Sequence, residues 1–247
     1  MITNLSVNLN KIALLRNSRG HDYPNLVAFA TKALAAGAHG ITIHPRPDQR
    51  HATYADVLDL SEMITALPQA ELNIEGYPSD DFMEVVLMHQ PDQVTLVPDA
   101  PKQLTSDHGW DLRETREFVG AKVSLLRQAG IRSSLFLDPE PAQIDLAAAI
   151  RTDRIELYTA DYAATYGTTQ ETRVLDRYRR AAAHAQSAGL GVNAGHDLNL
   201  LNLGRFLDIP DILEVSIGHA LTVEALDFGY ANVIGKYLQI IGDAGAG

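Results

Sequence analysis

Apolar positions along the chain follow two alternating rhythms. Short β-rich segments fall at Leu5–Leu9, Gly40–His44, Glu71–Glu75, Gln93–Val97, Ser133–Leu137, Arg154–Tyr158, Gly191–Ala194 and Leu213–Ile217. Between them, apolar residues recur three and four apart, which gathers them on one face of a helix. That spacing predicts helices over Pro24–Ala36, Tyr54–Leu67, Asp80–His89, Leu112–Ala129, Pro141–Ile150, Gln170–Ala188, Leu198–Leu207 and Leu221–Ile241. Pro24 suits a first helical turn, where a missing N–H costs nothing. Gly37, Gly130 and Gly189 each follow an alanine-containing helical end, as a left-handed C′ residue does.

Eight strand–helix units in 247 residues predict an α/β fold of the TIM (β/α)₈ barrel type. A doubly wound open sheet uses the same alternation, but no glycine-rich dinucleotide fingerprint follows any strand. The chain reads as one domain over residues 1–247, with 242–247 expected to fray.

Composition narrows the function classes. Twenty Lys and Arg against 31 Asp and Glu give a formal charge of −11. That balance argues against a surface that coats nucleic acid or binds an anionic membrane. A local cluster of arginines can still hold a phosphate. No cysteine is present, which removes disulfides, thiol nucleophiles and cysteine-ligated zinc. No secretory signal or bilayer-length apolar run is visible, so a soluble cytoplasmic protein is expected.

Barrels keep their reactive groups where strands end and the following loops begin. Those positions hold Asn8, Asn10 and Lys11 after the first strand, and His44, Arg46 and His51 after the second. Glu75 ends the third strand, Thr105 lies out on the fourth loop, the seventh gives Asn193 and His196, and the eighth gives Gly218 and His219. His44 titrates naturally near neutrality and suits proton exchange. Glu75 becomes a base matched to neutral pH if partial burial raises it; the plainer reading is a carboxylate paired with an arginine. Arg19, Arg46, Arg50 and His51 suit phosphate binding, against the plainer reading of solvated loops. Lys11 is also a candidate Schiff-base amine. A metal site of His44, Glu75 and His196 is conceivable, although no short ligand spacing marks one.

Several dispersed blocks together resemble the pyridoxine 5′-phosphate synthase family. They are the run Val7–Gly20, Gly40-Ile-Thr-Ile-His-Pro-Arg46, Asn73-Ile-Glu75, Leu96-Val-Pro98, Val192-Asn-Ala-Gly-His196 and Ser216-Ile-Gly-His-Ala220. The resemblance covers nearly the whole chain. It implies an octamer of TIM barrels that needs no metal or organic cofactor. It also implies small phosphorylated substrates: 3-amino-2-oxopropyl phosphate condensing with 1-deoxy-D-xylulose 5-phosphate.

Carried over by position, the resemblance makes His44 and Glu75 proton acceptors and His196 the proton donor. It places Asn8, Arg19, Asp197, Gly218 and His219 at the aminoketone phosphate. Arg46, His51 and Thr105 fall at the deoxyxylulose phosphate, with Asn10 and Lys11 standing where many members have Asp-His. Asp197 replaces a common glycine, and Asp107-His-Gly-Trp110 replaces a more usual Gly-Gly-containing loop. Two other readings are an aldolase or isomerase acting on another phosphorylated sugar, and a non-catalytic phosphosugar-binding relative.

Overall fold

Every strand alternates, and the alternation determines what the barrel encloses. In the computed structural model, which describes residues 3–99 and 106–245, the strands are β1 (Asn4–Asn8), β2 (Gly40–Ile43), β3 (Glu71–Gly76), β4 (Gln93–Leu96), β5 (Arg132–Leu137), β6 (Arg154–Tyr158), β7 (Gly191–Gly195) and β8 (Ile212–Ile217). Each pairs in parallel with the next, and β8 closes on β1. The expected (β/α)₈ barrel is therefore the observed fold.

Around the sheet run α1 (Asn10–Asn17), α2 (Leu26–Ala35), α3 (Tyr54–Thr65), α4 (Asp80–His89), α5 (Leu112–Gln128) and α6 (Pro141–Ile150). They are followed by α7 (Ala160–Thr165), α8 (Glu171–Ser187), α9 (Leu203–Phe206), α10 (His219–Phe228) and α11 (Tyr230–Gly245). Leu5, Val7, Ile41, Ile43, Leu72, Ile74, Val94 and Leu96 are fully or almost fully buried in the main hydrophobic cluster. That cluster lies between sheet and helices, where burying each such side chain contributes about 1.5–3 kcal/mol.

The alternate residues point into the barrel and, Phe136 apart, are mostly polar. Gln93 Nε2 donates across the interior to Glu214 Oε1 at 3.3 Å, from β4 to β8. Arg132 on β5 donates through Nε to Gln93 Oε1 at 2.8 Å and pairs with Glu71 on β3. Arg154 reaches Asn193 Oδ1 at 3.1 Å, and Asn193 Nδ2 lies 3.4 Å from both Gln93 and Glu214. Barrels of this class usually fill that space with branched aliphatic side chains. Here a hydrogen-bond network does so, joining sheet neighbours and also reaching across the interior from β4 to β7 and β8 and from β5 to β3.

Local signals place the helices. Gly37, Gly130 and Gly189 take positive φ of 101°, 76° and 82°. Each closes the paired bonds of a Schellman turn, as in Ala38 N–H to Ala33 O and Gly37 N–H to Leu34 O. The first helix-start expectation is corrected. Pro24 lies outside α2, and the Asn25 side chain caps it by accepting from the Ala28 N–H at 2.8 Å.

Other boundaries differ as well. The helix expected over Leu198–Leu207 shrinks to α9, because Asn199 Oδ1 accepts the N–H groups of Leu201 and Asn202 and holds a turn there. The stretch expected as Leu221–Ile241 divides at Gly229, whose φ is 80°. Helix α11 continues through 242–245, where fraying was expected. The segment read as a polar loop after β1 is helix α1, anchored by buried Ile12 and Ala13.

Candidate active site

A cavity of about 380 Å³ opens where the strands end. Eleven of the thirteen site residues expected from the sequence line it: Asn8, Asn10, Lys11, His44, Arg46, His51, Glu75, His196, Asp197, Gly218 and His219. Two do not join them. Arg19 is exposed, because the chain leaves α1 after Asn17 in a tight turn that ends at Gly20, φ 65°. Thr105 lies outside the described residues. Asn193, at the end of the expected seventh strand, belongs instead to the interior network, since β7 runs on to Gly195.

Strand ends position the acid–base groups. His44 follows β2, and its backbone N–H is held by Asn10 Oδ1 at 2.8 Å. Asn10 is in turn set by its own N–H donating to Asn8 Oδ1 at 3.0 Å. Asn8 Nδ2 approaches Glu75 Oε2 at 3.4 Å, and His44 Nδ1 lies 3.9 Å from the same oxygen. Gly218 allows this packing, since a Cβ there would sit 2.9 Å from Asn8 Cβ. The polar residues after β1 thus form one chain of contacts ending on the Glu75 carboxyl.

Burial sets the charge states. It pushes the His44 imidazole down to about 3, helped by the positive charges of Arg46, His51 and Arg50. It also pushes Glu75 well above the carboxylate range, with Asp99 and Glu214 adding like-charge repulsion. The pair is therefore a neutral imidazole beside a carboxyl that keeps its proton, and an ion pair is disfavoured there. Glu75, raised to about 8, holds its proton in the range where a general acid–base group works at neutral pH.

The rim beside His44 is cationic. Lys11, Arg46 and Arg50 surround His51, whose imidazole burial and those charges lower to about 4. Arg46 Nη1 sits 2.9 Å from Asp99 Oδ2, and Ser106 Oγ donates to the same oxygen at 2.9 Å. Guanidinium and ammonium donors grouped around one pocket suit an anionic phosphate.

Opposite them, His196 projects from a turn after β7. Its ring meets Tyr158 edge-on at 5.0 Å and Phe136 at 6.2 Å between centroids. Nδ1 lies 3.5 Å from Asp197 Oδ2. Among the described residues, no group of three His, Asp or Glu converges as metal ligands.

Glu156 was missed by reading strand ends alone. It sits mid-strand on β6, lines the cavity, and has one carboxyl oxygen without a hydrogen-bond partner among the described residues. Burial raises it far above the carboxylate range, with Glu75 and Glu214 adding to the shift. Gly195 leaves room for it, because a Cβ there would come within 2.2 Å of Glu156 Oε1. The available signal was the alternation Arg154, Glu156, Tyr158, which turns all three inward.

Comparison with known proteins places this geometry. The family model described as "Pyridoxal phosphate biosynthesis protein PdxJ" matches residues 5–243. Similar curated proteins include the pyridoxine 5′-phosphate synthase of Brucella anthropi, 50% identical over 244 residues that cover 98% of this chain and 100% of that protein. Another is the pyridoxine 5′-phosphate synthase of Chelativorans sp., 48% identical and covering 97% of this chain and 98% of its own. Among solved structures, KGPDC from Streptococcus mutans matches with a TM-score of 0.67 at 12% identity over 99% of both chains. Phosphoribosyl anthranilate isomerase from Thermus thermophilus gives 0.59 at 12% identity, over 98% of this chain and 99% of that one. At such identities the structural likeness is one of fold alone. No helix among the described residues is long and apolar enough to cross a membrane.

Proposed function

The chain belongs to the PdxJ family of pyridoxal phosphate biosynthesis proteins, and we propose that it is a pyridoxine 5′-phosphate synthase. Its reaction joins 3-amino-2-oxopropyl phosphate to 1-deoxy-D-xylulose 5-phosphate and releases pyridoxine 5′-phosphate, inorganic phosphate and water. The observation that supports this most directly is one cavity joining His44, Glu75 and His196 to a cationic rim.

The chemistry is a sequence of proton transfers with no net redox change. The substrate amine attacks a ketone, a C–N bond forms, and the carbonyl oxygen leaves as water once protonated. Loss of phosphate breaks a C–O bond after a neighbouring carbon gives up its proton. Ring closure forms a C–C bond and expels water. Each step needs a donor and an acceptor in reach, which a site with several tuned acid–base groups supplies.

In this reading, neutral His44 is a proton acceptor. Glu75 accepts after giving up the proton that burial retains on it. His196 donates from the opposite wall. Asn8, Asp197, Gly218 and His219 hold the aminoketone phosphate. Arg46, His51, Asn10 and Lys11 hold the deoxyxylulose phosphate, with Lys11 as a fixed cation rather than a nucleophile. Arg19 and Thr105 complete the two phosphate sites, although Arg19 lies outside the cavity wall here. The protein works as a single-domain barrel in the cytoplasm and assembles as an octamer.

The test is direct. Purified protein given both phosphates, without added metal, forms pyridoxine 5′-phosphate. Folded protein that yields none with both substrates present overturns the reading.

A further inference from the structure

Thr159 follows β6 and occupies the N-cap position of α7, yet its side chain makes no cap bond. A threonine there ordinarily accepts an N–H from the first helical turn. This hydroxyl turns the other way, onto the backbone after β7. It lies 2.8 Å from the Gly195 carbonyl oxygen and contacts the His196 carbonyl as well. The Thr159 backbone N–H adds a third tie, to Gly195 O at 3.0 Å. Thr159 is fully buried.

The segment it grips is strained. His196 has φ of 86° and Asp197 has φ of 60°, two consecutive non-glycine residues in the left-handed region. Such residues persist only where their surroundings over-determine them. Asn202 restrains the far side, donating Nδ2 to Asp197 O at 3.1 Å while its own Oδ1 accepts the Asn199 N–H. Without these ties the turn would relax, and the imidazole would leave the wall formed by Tyr158 and Phe136.

We propose that Thr159 is a positioning residue for the reaction, pinning the left-handed turn that aims the His196 imidazole into the cavity. Asn202 holds the same turn from its other end. The assignment rests on the synthase reading for His196's role, but the geometry it asserts exists without turnover. Reacting groups must be held within fractions of an ångström for efficient transfer, so a relaxed turn lowers the rate at saturating substrate.

Thr159→Val keeps the branched shape and removes only the hydroxyl. It lowers kcat about tenfold or more and leaves KM for the deoxyxylulose phosphate, whose proposed site does not include this turn, within about twofold. Thr159→Ser, which restores the hydroxyl, recovers most of the rate. In a His196→Ala background, Thr159→Val changes the residual rate by less than about twofold, because the two act through one group. A kcat near wild type in Thr159→Val, or an undiminished loss in the His196→Ala background, overturns the proposal.

Should Thr159→Val not fold, Asn202→Ala tests the turn from its other end and shows the same kcat loss with KM for the deoxyxylulose phosphate unchanged. A rate unchanged in that variant counts equally against the proposal. If wild-type protein makes no product, the synthase reading fails separately. The ring resonances of His196 in the nuclear magnetic resonance spectrum then decide the geometry: they shift in Thr159→Val and return in Thr159→Ser. Unchanged resonances overturn it.

Discussion

Toward the two ends of the barrel interior, the Glu71 carboxyl on one side and those of Glu75 and Glu156 on the other are in opposite states. Toward the strand starts, Glu71, Gln93, Arg132, Arg154, Asn193 and Glu214 form a connected network in which Glu71 meets the Arg132 guanidinium, while Glu214 is bonded to the amides of Gln93 and Asn193 and is held raised by burial. Burial pushes Glu71 up, but the hydrogen bonds and charge of Arg132 outweigh it and leave the carboxyl below its ordinary range. One layer further along, Glu75 and Glu156 are raised, first by burial and then by neighbouring carboxylates. Hydrogen bonds reach Glu75 from Asn8 and Ser216, and Glu156 from Thr95, all neutral groups. A half-buried carboxylate that has found its arginine is structure. One left without a cation is available for protons.

Two substitutions pull the layers apart. In the mouth, Glu75→Gln or His196→Ala lowers kcat about 10²–10⁴-fold, the usual reach of a positioned acid or base. Melting temperature stays close to wild type. Steady-state assays beside thermal melts check both, and a normal rate in either variant removes that residue from the chemistry. In the network below, Arg132→Met leaves Glu71 and Gln93 without their donor. It destabilises the fold by roughly 1–3 kcal/mol, the cost of a stranded polar partner, and spares turnover at saturating substrate. Denaturant unfolding measures the loss. A large drop in kcat with unchanged stability would mean that the lower layer takes part in catalysis and that the contrast is false.

Much of this was legible in the sequence, and what was missed has physical causes. The eight strands were readable because alternation and turn residues bounded each segment, and the Schellman glycines because only glycine takes that backbone freely. Asn8, His44, Glu75 and His196 were found because a barrel assigns chemistry to strand ends. Glu156 was hidden because it stands one residue pair below the end, where facing depends on closing the barrel. Helix α1 was hidden too. Polar Asn10, Lys11, Arg16 and Asn17 mask the single buried turn of Ile12 and Ala13 that holds it. The polar interior was visible only as alternation, which in a lone strand is equally the mark of a solvent face.

The gentlest test of the contrast is Glu156→Gln read against Glu71→Gln as a function of pH. Glu156 binds its proton more tightly in the folded state than in the unfolded chain, because its pKa lies above the ordinary 4.5. Its contribution to stability is complete below that value and is lost as pH rises toward the folded pKa. Glutamine keeps the shape and cannot ionise, so Glu156→Gln matches wild type near pH 4 and becomes the more stable protein as pH climbs. Each kcal/mol of relieved cost appears as roughly 2–4 °C in the melting temperature of a chain this size. Glu71 has the opposite sign. Its folded pKa lies below the ordinary value, so its stabilisation is present above that value and is lost as pH falls. Glu71→Gln is therefore the less stable protein at neutral pH, and its deficit shrinks on acidification. Melting curves that diverge in opposite directions from a shared low-pH value sustain the distinction between the layers. A Glu156→Gln protein less stable than wild type at neutral pH would place that carboxylate with the structural network.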